Sequence, residues 1–387
     1  MAPYRGIALR GLVLSPVLLA AVLLFRLNRP PAGQTHTYYV AADEVLWDYA
    51  PSGKDEISGR PFDPVQQRFV EAGPFWIGRH ARKSLYREYT DSGFTTLKPR
   101  PAEWEHLGFL GPLLRASVGD TIRVVFRNHT RFPASMHPHG VFYQKSSEGA
   151  PYADGTSGAD QADDGVPPGG THVYLWPVPE RAGPAADDGN SVFWMYHSHT
   201  HETADVNAGL TGPMIITRRG GARPDGTPSD VDREIVIAFA EVDENQSPYL
   251  AENIRAFARE PDSVQVDTIF GLPQVRRFGQ YYYKESLNGF VYGNLPMPTM
   301  HVGERVRWYI MASTNFEMHA PHWHGNTVEL RHMRTDVAGL LPMGMEVADM
   351  VPDDPGIWLI HCHLGAHLLM GMQGRYEVRP KAVMASK

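Results

Sequence analysis

Four short runs gather the metal-binding side chains of this sequence: His137-x-His139, His197-x-His199, His319-x-x-His322-x-His324, and His361-Cys362-His363 with His367 following. On an extended strand, residues two apart face the same side. Each His-x-His pair is therefore a two-toothed ligand on one face of a sheet. Four pairs supply eight imidazoles, and if the faces that carry them meet, eight neutral nitrogens surround one volume. Imidazole suits copper, zinc, iron and nickel alike, so the histidines by themselves do not name the metal. Cys362, the only cysteine, narrows the choice. Lying between two same-face histidines, it points to the opposite face, where it can join His319, His367 and Met372. Two histidines, one thiolate and a weak methionine thioether make the blue-copper electron-transfer site. The Ala320-Pro321 turn lets His319 and His322 point in different directions. One strand then carries a mononuclear copper on one face and part of a polynuclear cluster on the other, with covalent continuity from Cys362 to His361 and His363. A zinc site would take three or four ligands, and ten histidines in this arrangement are too many.

The elements that must position these groups occur twice. Residues 117–126 alternate as a strand entered by a turn, and His137-Pro138-His139-Gly140 follows. The second copy runs from Val302 to Tyr309 and leads to His322-Trp323-His324-Gly325. Each copy continues through turn-rich sequence to a second strand, 193–199 and 358–363. Each ends in a glycine-containing apolar strand, 212–216 and 371–378. A repeat of this length means two copies of one domain. Short alternating strands, with 37 glycines and 32 prolines between them, point to β-sandwiches over long helices. The expected architecture is all-β, two sandwich domains in tandem over 35–222 and 223–387. They are joined near 218–230, with a short helix expected within 243–259. A net charge of −7 gives no electrostatic case for nucleic acid or an anionic membrane surface. At the N-terminus, Arg5 and Arg10 precede an apolar run, 11–25, and Arg26 and Arg29 follow it. That length fits the core of an export signal better than a spanning helix. Residues 1–34 are therefore expected to be a signal peptide or N-terminal membrane anchor, and the protein to be exported: periplasmic, extracellular or anchored on the outer side. A lone thiol in an exported chain is either a liability or a ligand.

On these motifs the sequence resembles the multicopper oxidases, over nearly the whole chain after the N-terminal segment. His137-Pro138-His139-Gly140, Ser147-Glu148-Gly149 and Pro167-Pro168-Gly169-Gly170-Thr171 are similar to the two-domain small laccases. The runs 44–53, 85–91 and 355–363 are similar to ceruloplasmin and hephaestin. The resemblance implies cupredoxin-like Greek-key domains and four copper ions per functional unit. His137 and His322 match the type 2 ligands, and His139, His197, His199, His324, His361 and His363 the type 3 pair. His319, Cys362, His367 and Met372 match the type 1 site. It implies that type 1 copper takes single electrons from a substrate and that the trinuclear cluster reduces O2 to water. The first domain has Ser198 and Thr203 where the second has Cys362 and His367, so it is expected to hold no type 1 copper. That separates the chain from copper nitrite reductase, whose type 1 ligands lie in the first domain. Glu148 falls where the resembling enzymes carry an acid near the cluster, and is expected to deliver protons. Tyr143 falls where small laccases place a tyrosine beside it. Two-domain relatives close a ring of three chains, which implies a homotrimer with trinuclear sites between neighbouring chains.

The donor is read from the rim of the type 1 site. Ceruloplasmin-like ferroxidases carry an aspartate immediately before the second type 1 histidine and a glutamate four residues before the first. Here those positions are Ala366 and Asn315. Glu317 reads as a solvated rim charge, and Met318, Met343, Met345, Met350 and Met370 as filling for irregular apolar space more than as Cu(I) ligands. The expected donor is a phenol or aromatic amine, with a ferroxidase or cuprous oxidase as the alternative. A non-enzymatic scaffold would not need all twelve ligand positions filled, and a copper store would favour more soft ligands than one cysteine.

Overall fold

The computed structural model describes residues 33–313 and 317–381. Residues 1–32, most of the expected export segment, lie outside the described residues, as does Asn315. Among the described residues no helix is long and apolar enough to cross a membrane.

The first eight strands are β1 Thr35–Asp48, β2 His80–Tyr89, β3 Leu114–Ser117, β4 Thr121–Asn128, β5 His137–Pro138, β6 Thr171–Pro177, β7 Ser191–His197 and β8 Thr211–Thr217. They form two four-stranded sheets, β2-β1-β4-β6 and β3-β8-β7-β5. Next come β9 Arg233–Asp243, a hairpin of β10 Val266–Ile269 and β11 Leu272–Val275, then β12 Tyr283–Leu287, β13 Thr299–His301 and β14 Val306–Ala312. The chain finishes with β15 Pro321–Trp323, β16 Val328–Leu330, β17 Met333–Thr335, β18 Met345–Met350, β19 Gly356–Cys362 and β20 Gln373–Arg379. These make a six-stranded sheet, β12-β9-β14-β18-β16-β17, and a four-stranded one, β13-β20-β19-β15. The fold is cupredoxin-like. Every sheet draws its strands from one side of residues 218–230, the stretch expected to join two domains. The expected helix spans Leu250–Phe257, shorter than the 243–259 window. Asp243 instead closes a turn on Asn245 and Gln246.

Three apolar cores hold this together. One lies between the first two sheets, around Phe126, Tyr174, Trp176 and Met214. Another fills the second pair around Trp308, Trp323, Ile360 and Tyr376. The third joins the halves: Phe193 and Ile215 pack with Val236, Tyr309 and Met311. Arg307, nearly fully buried, pins the connecting stretch to the second half by binding Asp230 and Asp349. Loss of either carboxylate would leave part of a buried charge uncompensated.

The two halves share a local detail. Gly140 and Gly325, each following a His-x-His pair, adopt φ +76° and +68°. A Cβ at either would fall 2.2 Å or 2.3 Å from the ring of Trp194 or Trp358 respectively. The glycines let the histidine-bearing turns lie flat on those rings, so both copies present their ligands the same way.

Candidate metal centre

β15 and β19 pair antiparallel with His322 opposite His361 and Pro321 opposite Cys362. This register places Cys362 on the core side. Its Sγ lies 4.0 Å from His319 Nδ1 and 3.5 Å from His367 Nδ1, and the two Nδ1 atoms are 3.2 Å apart. All three side chains are buried. His367 is delivered by the helix Gly365–Met370, whose C-terminus is closed by Gly371 in the left-handed conformation. Met372, fully buried, accepts the Cys362 N–H and donates its own N–H to His367 O. The Ala320 N–H points at the sulfur from 3.3 Å. Donor separations of 3.2–4.0 Å suit one metal bonded at about 2.0–2.3 Å to two nitrogens and a sulfur. His319 Nε2 is buried with no partner. Burial holds the His319 imidazole down at about 3, so it is neutral and ready to ligate, and pushes the Cys362 thiol up.

The other face carries the second quartet. His361 Nε2 lies 3.2 Å from His322 Nδ1 and 3.1 Å from His324 Nε2. The His363 ring stands 5.0 Å from His322 and 5.4 Å from His361. The first quartet has the same build: His139 Nε2 and His197 Nε2 are 3.1 Å apart, and His137 packs against His139, His197 and His199. Backbone carbonyls hold the rings from behind. His137 Nδ1 donates to Glu148 O, His197 Nδ1 to Ser198 O and His361 Nδ1 to Cys362 O. That fixes the tautomer and leaves Nε2 free. Burial, reinforced by neighbouring imidazoles, holds His139 at about 4 and His197 at about 3. Among the described residues, no ring of the first quartet stacks on a ring of the second.

The two residues expected to assist the cluster are placed differently. Tyr143 stands beside it, its ring 5.7 Å from His137. The Glu148 carboxylate instead binds Lys145 at 2.6 Å and Tyr152 at 3.0 Å, and only its main-chain carbonyl reaches a histidine. The acid nearest a ring nitrogen of the second quartet is Asp336, 3.6 Å from His322 Nε2, which the motifs did not single out.

A cluster of acids adjoins the mononuclear pocket. Glu317, expected as a rim charge, places Oε2 3.1 Å from His367 Nε2. Glu285 Oε2 lies 3.8 Å from His367 Nδ1, and Glu241 sits opposite Glu285 in the β9–β12 register. The Oε2 atoms of Glu241 and Glu285 are buried without a hydrogen-bond partner. Burial, then the charges of Glu317 and Asp243, push Glu241 up to about 8; burial, then the charges of Glu241 and Glu317, push Glu285 up to about 9. Glu241, Asp243, Tyr283 and Glu317 line a cavity of about 380 Å³. No motif marks Glu241 or Glu285; strand pairing alone brings them together.

Models of multicopper oxidase domains match residues 106–221 and 271–382. The chain is 44% identical to the ferroxidase HEPHL1 of Mus musculus over 349 residues, 89% of this chain and 29% of that protein. It is 40% identical to human hephaestin, covering 90% of this chain and 30% of hephaestin. To rat ceruloplasmin it is 36% identical, over 94% of this chain and 33% of ceruloplasmin. The chain thus spans about a third of the length of these relatives. Among solved structures, the blue copper oxidase of Nitrosomonas europaea shares the fold at TM-score 0.55 and 16% identity, over 89% of this chain and 86% of that one. The chain belongs to the multicopper oxidase family. Its cofactor is copper, which the thiolate–imidazole pocket fits.

Proposed function

We propose that the chain is a metal oxidase of the ceruloplasmin type, with Fe(II) as the favoured donor and O2 as the acceptor. The observation that carries this is the acidic cluster of Glu241, Glu285 and Glu317 beside His367. A buried carboxyl oxygen without a partner is costly, and a hard cation entering the cavity that Glu241 and Glu317 line would satisfy that of Glu241. Carboxylates stabilise a trivalent ion more than a divalent one, so the same groups favour loss of an electron from bound Fe(II). A phenol gains nothing from this charge. The similarity to the ferroxidase HEPHL1 supports the same donor class.

In this reading His319, Cys362, His367 and Met372 hold type 1 copper. His137 and His322 hold type 2 copper, and His139, His197, His199, His324, His361 and His363 the type 3 pair. Bound copper supplies one-electron acceptance at the mononuclear site and four-electron reduction of O2 to water at the trinuclear one. His367 lies between Glu317 and Cys362: Nε2 faces Glu317, which lines the cavity, and Nδ1 faces Cys362. Cys362 continues through the backbone into His361 and His363. Tyr143 borders the first quartet, and Asp336 is placed to hold a proton beside His322, a role that Glu148, tied to Lys145, fills less directly.

Among the described residues no imidazole of one quartet stacks on one of the other, which supports a trinuclear site completed by a neighbouring copy. We infer a homotrimer in which the first quartet of one chain faces the second quartet of the next; the exposed position of His363 supports this. Export of the protein is retained from the basic-flanked apolar N-terminus. The test is O2 uptake by copper-loaded protein with Fe(II), Cu(I) and a phenol. Faster turnover with the phenol at equal driving force would return the reading to a laccase.

A further inference from the structure

In the first half, Ser198 holds the place that Cys362 holds in the second, between two histidines of a quartet. The surroundings correspond in two features. The Ser135 N–H donates to Ser198 Oγ at 3.0 Å, as the Ala320 N–H points at Cys362 Sγ from 3.3 Å. Ser135 and Ala320 each lie two residues before a histidine of the quartet, His137 and His322. A short helix then brings one polar side chain to the central atom. In the second half the helix Gly365–Met370 brings His367. In the first, the helix Glu202–Ala208 brings Asp205, whose Oδ2 accepts the Ser198 hydroxyl at 2.6 Å and the His201 N–H at 2.9 Å.

Ser135 and Ser198 are fully buried and Asp205 nearly so. Among the described residues Asp205 pairs with no lysine or arginine. A buried carboxylate without a cation costs folding free energy that a leucine here would not. What it secures is a continuous set of bonds. Ser135 Oγ accepts the His199 N–H at 3.0 Å and donates to Gly149 O at 2.6 Å. Next to Gly149, Glu148 O holds His137 Nδ1. Asp205, Ser198 and Ser135 thus tie together the segments that carry His137, His197 and His199.

We propose that Asp205 is a positioning residue for the first histidine quartet: through Ser198 and Ser135 it fixes the ligand-bearing segments by hydrogen bonds, the task that the thiolate–imidazole pocket performs in the second half. This rests on the reading of the quartet as copper ligands. Removing a group that orients metal ligands costs about 10–100-fold in metal affinity, and the loss should fall on the trinuclear site alone.

The test uses the full chain loaded with copper, as Asp205→Ala, Ser198→Ala and Asp205→Asn. Copper per chain is measured with two spectroscopic signals, the near-ultraviolet band of the coupled pair and the visible band of the cysteine-ligated copper. Asp205→Ala and Ser198→Ala are expected to weaken retention of the trinuclear copper at least tenfold while the visible band keeps its position and intensity. Asp205→Asn preserves an acceptor for both donors and is expected to stay within about twofold of the parent. Full trinuclear retention in Asp205→Ala would overturn the proposal. So would a loss in Asp205→Asn equal to that in Asp205→Ala, or loss of the visible band together with the rest. A parent protein without the near-ultraviolet band would instead contradict the copper reading of the quartet itself.

Discussion

Replacing Glu241 by glutamine isolates the acidic cluster from the copper sites. Glu241 touches no proposed copper ligand, and its partnerless oxygen lies opposite Glu285 across two paired strands. Without a cation, its carboxyl is raised from an ordinary 4.5 to about 8, first by burial and then by Glu317 and Asp243. An acid whose folded pKa is raised binds its proton more tightly when folded. Its contribution to stability is therefore complete below pH 4.5 and is lost as pH rises toward 8. Between pH 5 and pH 8 a single isolated group with this shift would cost the metal-free protein about 3.5 kcal/mol. Relaxation and coupling to Glu285 reduce that to about 2–3 kcal/mol, or about 3–4 °C in Tm for a chain of this size. Thermal unfolding of metal-free parent and Glu241→Gln proteins at both pH values measures the difference. The parent should lose stability relative to the variant on going to pH 8. Mn(II), a hard cation of suitable charge, should restore the parent and leave the variant unmoved. Equal pH dependence in the two proteins, or equal response to Mn(II), would refute both the buried-acid argument and the cation site built on it.

Other consequences follow from the same geometry. Glu317→Gln should raise KM for Fe(II) about tenfold and change phenol kinetics by less than about twofold, since it removes one charged contact worth about 1.5 kcal/mol to a cation; stopped-flow or O2-electrode kinetics with both donors decides. Cys362→Ser should abolish the visible band and donor-dependent O2 uptake while both quartets keep their copper, as read by absorbance and metal analysis. Because burial keeps His319 neutral and raises the Cys362 thiol above its ordinary 9, filling the mononuclear site near pH 7 should release the Cys362 proton, seen by calorimetry in buffers of different ionisation enthalpy. Gly325→Ala forces a methyl onto the Trp358 ring at positive φ, and should lower stability by about 2–4 kcal/mol in denaturant unfolding.

The mononuclear pocket was readable because its ligands sit on one strand, one helix and one turn whose spacing determines the side each residue faces. Cys362 between His361 and His363 required only the period of a strand. The repeat likewise exposed the absence of a second thiolate, since Ser198 stands in the matching place. The acidic cluster was hidden for a physical reason. Glu241 and Glu285 lie in strands far in sequence from any histidine motif, and only the antiparallel register of β9 and β12 sets Glu241 opposite Glu285, which lies beside His367. Reading the rim from Ala366 and Asn315 therefore pointed to an organic donor, while the charge came from elsewhere in the sheet. The Glu148 expectation used sequence offset from His139, but Lys145 three residues earlier competes for the carboxylate. Asp336 escaped notice because a β-bridge between His322 and Val337, not sequence proximity to a motif, brings its neighbour to the quartet.

Steady-state O2 consumption by the copper-loaded full chain, with Fe(II) and a phenol compared at matched driving force, bears most directly on the central claim. The account predicts that Fe(II) is the faster donor, that four Fe(II) are oxidised for each O2 consumed, and that Glu241→Gln and Glu317→Gln narrow the preference. Equal or faster oxidation of the phenol, with both variants indistinguishable from the parent toward Fe(II), would contradict it.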